Sequence, residues 1–179
     1  MLPRKTIHSL PKSYNFQKVS NWELFRIFLD YMQYYWGGML KHGATTFWER
    51  FDPSQTGNEK YAMYGRPYGK SLCHSWGAGP LYIIGKYVVG LSPLEDGYEQ
   101  YKLQPYLGKL KLKTKLPMNN SELDYEYNGE YIKIFSPNND GILAFNDKLD
   151  CSGLAFSDEK GGYVLKGGQE YTIKIKEDK

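Results

Sequence analysis

Near residue 92 the spacing of apolar side chains changes from steps of three and four to steps of two. A chain cannot serve both periods with one element type, because a helix face repeats every 3.6 residues and a strand face every two. Residues 20–90 therefore read as helices joined by long loops, and residues 98–176 as short strands separated by turns. The expected architecture is α+β, with a linker near Ser92–Gly97.

In the first half, Ser20-Asn21-Trp22-Glu23 has the form of a capping box, with Ser20 as N-cap and Glu23 three positions on. Trp22, Phe25, Phe28, Leu29, Met32, Tyr35 and Trp36 then form one wide apolar face, until Gly37-Gly38 should weaken the helix. A second helical pattern spans Ser71 to Val89, with Leu72, Trp76, Ile83 and Tyr87 on its buried side and Pro80 kinking it or ending its first part.

In the second half, Tyr101-Lys102-Leu103-Gln104 and Leu110-Lys111-Leu112-Lys113 alternate as half-buried antiparallel strands do. Asn128-Gly129 is a two-residue hairpin signal that places both residues at positive φ, and Gly167-Gly168 repeats the device ahead of Tyr171 to Ile175. Six or seven short strands make a small antiparallel β-sandwich the expected fold.

Composition narrows the function. Lys and Arg number 23 against 20 acids, and the net +3 is spread along the chain, so no nucleic-acid surface is expected. Leu81 to Leu91, the longest apolar stretch, is broken by Gly85, Lys86 and Gly90 and falls short of the ~20 residues that cross a bilayer, so no membrane contact is expected. Met1 to Leu10 has basic residues with no apolar run behind them, which argues against a secretory signal and for the cytoplasm. Cys73 and Cys151 have no metal-ligand spacing and are expected as two buried free thiols, with no metal and no cofactor. The aromatic content, 16% with 17 Tyr, 8 Phe and 4 Trp, suits a carbohydrate protein because sugar rings stack on aromatic faces; it equally suits core filling.

The segment from Lys41 to Pro53 is too long and polar for a tight connection, and it concentrates small residues, an aromatic pair and the carboxylate of Glu49. Read by spacing alone, Glu49 is a surface acid paired with Arg50 or a lysine, and His74 a satisfied core histidine. Three runs in order change that reading: Tyr35-Trp36-Gly37-Gly38-Met39-Leu40, Gly43-Ala44-Thr45-Thr46-Phe47-Trp48-Glu49-Arg50-Phe51-Asp52-Pro53, and Ser71-Leu72-Cys73-His74-Ser75-Trp76-Gly77-Ala78-Gly79-Pro80. Together they resemble the closing portion of the bacterial α-L-rhamnosidase family. The likeness continues through Leu91-Ser92-Pro93, Leu103-Gln104-Pro105 and Leu107-Gly108-Lys109-Leu110, covering roughly residues 31–116. Residues 1–19 match nothing and stay unassigned.

The resemblance implies that residues 20–92 are the last helices of an (α/α)6 six-hairpin barrel and residues 98–179 its C-terminal β-sandwich. It implies hydrolysis of terminal α-L-rhamnosides with inversion, which uses two carboxyl groups about 6.5–9.5 Å apart, one protonating the leaving oxygen and one activating water. Carried over residue by residue, Glu49 matches the general base and His74 the histidine that hydrogen-bonds a sugar hydroxyl. Trp48 has two readings, a wall of the sugar pocket and a packing residue beside the loop turn. Tyr64 and Arg66, in the Tyr61 to Lys70 loop, are expected to reach the substrate. Arg50 is expected to fix the loop by pairing with a carboxylate.

The departure is as informative. A barrel of this kind has twelve helices and this chain supplies two or three, and the family's upstream loop with the general acid has no counterpart here. The chain is then a truncated reading frame, a designed piece or one part of a split enzyme, whose partners are a rhamnose-containing glycoside and either the missing barrel segment or a second copy of itself. A non-catalytic carbohydrate-binding or accessory module, and an inactive remnant, are the competing readings.

Overall fold

A computed structural model describes residues 21–176, with side chains from Phe25 onward. The Ser20 cap, the side chain of Trp22 and the segment 1–19 lie outside the described residues. The chain divides between Ala78 and Gly79 into two compact units.

The first unit is one long helix and the loops folded on it. Helix α1 runs Asn21–Lys41, through the Gly37-Gly38 pair expected to weaken it. The glycines stay helical because packing requires one of them: a side chain on Gly38 would overlap the ring of Phe51. Past Lys41 the chain turns back through Gly43 at φ 83°, and the Ala44 N–H closes the helix on the Met39 carbonyl at 3.0 Å. The residues that follow then bury themselves on the helix they have just left. Met39, Ala44, Trp48 and Phe51 form the buried core of this unit, with Tyr35, Trp36 and Tyr61 packed around it. Two polar ties fix the arrangement: the Phe51 N–H donates to the Tyr35 hydroxyl at 2.9 Å, and the Trp36 indole N–H to the Gly77 carbonyl at 2.8 Å.

The second helical pattern is shorter than expected. Residues 71–74 are not helical because their backbone pairs with the loop before them, the His74 N–H donating to the Phe47 carbonyl at 2.8 Å and the Glu49 N–H to the Ser71 carbonyl at 2.9 Å. A 3₁₀ turn covers Ser75–Ala78, helix α2 covers Gly79–Ile83, and a wider π-type turn covers Ile84–Val89. Pro80 does not kink or end a helix; it sits in the first turn of α2, where its missing N–H leaves no bond unmade. Leu72, Trp76 and Tyr87, expected on a buried face, are exposed, Trp76 at 92%. Cys73 is exposed as well, because it belongs to this loop, whereas Cys151 is buried as expected and burial pushes its thiol pKa up.

The second unit is a nine-stranded sandwich. Its strands are β1 (Leu91–Pro93), β2 (Gln100–Leu103), β3 (Leu112–Met118), β4 (Ser121–Tyr127), β5 (Tyr131–Phe135), β6 (Asp140–Ala144), β7 (Phe156–Ser157), β8 (Gly162–Leu165) and β9 (Glu170–Lys174). One sheet has the order β1-β2-β6-β8-β7 and the other β3-β4-β5-β9. All pairings are antiparallel except β2 with β6, which run parallel from Gln100 opposite Asp140 to Leu103 opposite Leu143. Ser92, placed in a linker by the sequence pattern, is paired in β1 with Lys102. Inward-facing residues of both sheets meet in one core: Tyr101, Leu103, Leu143 and Leu165 from the first, and Leu123, Tyr125, Ile132, Ile134 and Ile173 from the second. Each such aliphatic side chain contributes about 1.5–3 kcal/mol on burial, so this core dominates the stability of the unit.

Turn chemistry differs from expectation in two places. Of the β4–β5 turn only Gly129 is at positive φ, 96°. Asn128 instead closes the turn with its side chain, Oδ1 accepting the N–H groups of Glu130 at 2.9 Å and Tyr131 at 3.0 Å. Gly167-Gly168 does not make a hairpin, because β8 and β9 lie in different sheets and the pair carries the chain from one to the other. One buried group is left over: the Tyr125 hydroxyl has no hydrogen-bond partner among the described residues.

Candidate functional site

The loop after α1 places Glu49 between buried neighbours. Trp48 is 4% exposed and Phe51 is 8% exposed, both held against the helix. With the residues on either side anchored inward, the Glu49 carboxylate is carried on a fixed piece of backbone. Both of its oxygens have protein donors. The Ser71 N–H donates to Oε2 at 3.1 Å, and the Tyr64 hydroxyl donates to Oε1. The reciprocal bond from the Glu49 N–H to the Ser71 carbonyl ties the two segments into a short ladder.

These donors favour the charged carboxylate. The Tyr64 hydroxyl and then the Ser71 N–H hold the Glu49 pKa below its ordinary value, with smaller contributions from His74 and Lys70. The same bond raises the pKa of the Tyr64 phenol, which must give its proton up beside a negative charge.

Tyr64 reaches this position through an uncommon backbone. Met63 and Arg66 exchange both backbone hydrogen bonds at 3.0 Å, and the two residues between them, Tyr64 and Gly65, have φ values of 54° and 72°. Two positive φ angles between a paired couple define the tight I′ type of turn, which asparagine and glycine normally occupy. Gly65 is suited to it. Tyr64 is not, and a bulky residue held there costs about 1–3 kcal/mol.

Lys70 supports the same loop from behind. It is 7% exposed, and its ammonium donates to the Gln55 side-chain oxygen at 3.2 Å and to the Lys60 carbonyl. Burial and the nearby Arg50 lower its pKa. Its own N–H bonds the Tyr61 carbonyl at 3.0 Å, so the residue beside the Ser71 donor is anchored at both ends. Asp52 is committed elsewhere, its Oδ1 accepting the N–H of Ser54 at 3.0 Å and the Ser54 hydroxyl at 2.6 Å.

Of the residues singled out in the sequence, Glu49 and Tyr64 come together, and His74, its ring centre 6.1 Å from that of Trp76, acts on Glu49 through its charge. Tyr64 meets the carboxylate itself. The Trp48 ring is buried against Tyr61, with ring centres 5.9 Å apart, so it supports the backbone leading into Glu49 and offers no open face. Arg66 is exposed at the far side of the turn from Tyr64. Arg50 is exposed too; it acts on Asp52 and Lys70 through its charge. Sequence reasoning did not single out Ser71, which acts through its backbone, or Lys70, whose burial nothing in its neighbours signals. Among the described residues no group of His, Cys, Asp and Glu could hold a metal ion, and no helix is long and apolar enough to cross a membrane.

No protein-family model matches this chain, and no curated protein matches it. Among solved structures its fold is similar to the α-L-rhamnosidase of Streptomyces avermitilis complexed with L-rhamnose, with a TM-score of 0.51 and 19% identity over 79% of this chain and 15% of that one. The α-L-rhamnosidase of Aspergillus terreus aligns with a TM-score of 0.47 and 18% identity over 77% of this chain and 16% of that one. That of Dictyoglumus thermophilum aligns with a TM-score of 0.47 and 16% identity over 79% and 17%. This chain thus spans about 15% of the length of the first.

Proposed function

We propose that this chain is a fragment of an α-L-rhamnosidase-like glycoside hydrolase and contributes its general base, Glu49. The observation that carries the reading is the Glu49 carboxylate, oriented by one donor on each oxygen and held in its charged form. An ionised carboxylate has about four lone-pair sites, and two are filled here. The remaining pair on either oxygen can take a proton from water as that water attacks the anomeric carbon. A base of this kind must be ionised before the reaction begins, and the Tyr64 and Ser71 donors favour that form. His74, whose charge acts on the carboxylate, would hydrogen-bond a sugar hydroxyl, and Tyr64 and Arg66 would meet the substrate from their turn.

Inversion requires a second carboxyl group that protonates the leaving oxygen from the opposite face. That group and the walls of the sugar pocket belong to the barrel helices outside this chain. A rhamnose-containing glycoside is the substrate class, and the exposed side chains of Leu40, Tyr68 and Trp76 are where further barrel helices, or a second copy of the chain, would rest.

The test is a rate measurement with an aryl α-L-rhamnoside. The isolated chain gives no turnover. Mixing it with a separately expressed upstream barrel fragment gives turnover with inversion; Glu49→Gln abolishes it because the amide cannot accept the proton, and His74→Ala mainly raises KM. Turnover by the isolated chain that disappears in Glu49→Gln would mean that these residues hold a complete site, and turnover of the pair that survives Glu49→Gln would remove Glu49 from the chemistry.

A further inference from the structure

The four-stranded sheet turns a second candidate surface outward, in the other unit from Glu49. Leu123, Tyr125, Ile132, Ile134 and Ile173 face the core, so the alternate residues face out. Register then sets two rows across the sheet: Lys113, Glu126 and Lys133 in one, and Lys115, Asp124, Phe135 and Glu170 in the other. These rows line a shallow, open concavity of about 530 Å³.

An ordinary solvated sheet face would show charges and nothing else of note. Three features set this one apart. First, its charges are matched across strands: Lys115 lies 2.8 Å from Asp124 and Lys113 lies 3.2 Å from Glu126, whose other oxygen accepts the Tyr131 hydroxyl at 3.2 Å. Secondly, the half-buried ring of Phe135 sits in the middle of its row, directly between Asp124 and Glu170. Thirdly, the Glu170 carboxylate beside Phe135 has no ion-pair partner among the described residues, while the Lys133 ammonium two residues before Phe135 acts on its cross-strand neighbour Glu126 through charge and lies 5.6 Å from the Tyr131 ring centre.

The lining carries three lysines and three carboxylates, so its net charge is zero. A polyanion or a polycation would meet as much repulsion as attraction there. What fits is an uncharged molecule that accepts from ammonium groups, donates to carboxylates and lays an apolar face on a ring, and a pyranose does all three. We infer that the outer face of this sheet, centred on Phe135 with Glu170 and Lys133 beside it, binds neutral oligosaccharide. This does not depend on the role proposed for Glu49.

The experiment is an amide NMR titration of the full chain with linear neutral hexasaccharides (β-1,4-glucose, α-1,4-glucose, β-1,4-mannose and a rhamnose oligomer) and with a galacturonic acid oligomer. Saturable shifts at residues of β3, β4, β5 and β9 with at least one neutral sugar are expected. Phe135→Ala then weakens that binding roughly tenfold, the size of one lost stacking contact. Glu170→Lys, an exposed change that leaves the core untouched, weakens it also and covers the case in which Phe135→Ala fails to fold. No shift with any neutral sugar, shifts only with the acidic oligomer, or shifts confined to the surroundings of Glu49 would each overturn the inference.

Discussion

The Tyr64 hydroxyl donates to Oε1 of Glu49 from a backbone position, φ 54°, that tyrosine seldom adopts. The hydrogen bond and the strained turn belong together: an asparagine or glycine at residue 64 would relax the turn and lose the phenol. Tyr64→Phe keeps the ring and removes the donor. The Glu49 pKa should then rise toward the ordinary carboxylate value, read by following its side-chain carbon signal through an acid titration. Because the folded-state pKa of Glu49 is depressed, its contribution to stability is present above the unfolded pKa and is lost as pH falls through the folded one. Tyr64→Phe should therefore flatten the acid limb of the stability curve. An unchanged Glu49 titration would show that the hydroxyl does not hold the carboxylate in solution.

The two adjacent glycines of α1 should respond oppositely to alanine. A methyl group on Gly38 overlaps Phe51, whose ring is itself held by Tyr35 at 5.8 Å and His42 at 5.5 Å between ring centres. Gly38→Ala should cost about 1–3 kcal/mol. On Gly37 the nearest atom to an added methyl is Gln33 Cγ at 3.9 Å, ordinary contact. Gly37→Ala should stabilise by about 1 kcal/mol, the helix-propensity difference. Denaturant melts followed by tryptophan fluorescence, which reports the first unit through Trp36 and Trp48, read both.

Much of this was legible in the sequence and some was not, for local reasons. The alternation in residues 98–176 revealed the strands because one side of each faces a core, and β4 shows it cleanly with Leu123, Tyr125 and Tyr127 all buried. The parallel pairing of β2 with β6 was not legible, since alternation states which face is buried and not which neighbour lies alongside. Residues 71–74 carried a helical pattern that lost to pairing with Phe47 and Glu49, a contact invisible to any local window. Of the candidate site, Glu49 stood out as a carboxylate in a polar loop, whereas His74 lay in a helical pattern, and both were singled out only through the three runs that carry the resemblance. The donors to Glu49 were not legible as donors: one is a backbone N–H, and the other depends on a turn whose glycine is readable but whose tyrosine is atypical.

Two tyrosines of β4 provide a matched pair. The Tyr127 hydroxyl donates to the Gly108 carbonyl at 2.9 Å, whereas the Tyr125 hydroxyl is buried without a partner among the described residues. Tyr127→Phe should destabilise by about 1 kcal/mol. Tyr125→Phe should be neutral or stabilise by up to about 1 kcal/mol, since it removes a desolvated group that makes no bond. Thermal melts of the two variants check the contrast, and equal losses would show that Tyr125 has a partner in solution.

The two units should differ in exchange. The sandwich buries fifteen core residues in one cluster and the helical unit four, among the described residues. Amides of β4, β5 and β6 should therefore exchange with solvent more slowly than those of α1. Slower exchange in α1 would mean that the helical unit gains burial in solution, from a second copy of the chain, and sedimentation at several concentrations would detect it.

The parallel pairing of β2 with β6 also sets an order of assembly. Strands β3, β4 and β5 form a meander whose partners are neighbours in the chain, so little loop-closure entropy opposes their association. Strand β2 must wait for β6, which lies beyond that whole meander. Until it arrives, β1 and β2 are a two-stranded ribbon with an open edge. The interval in which a newly made chain can be captured by another, or must be shielded from one, is thus the time between completion of the meander and docking of β6 on β2.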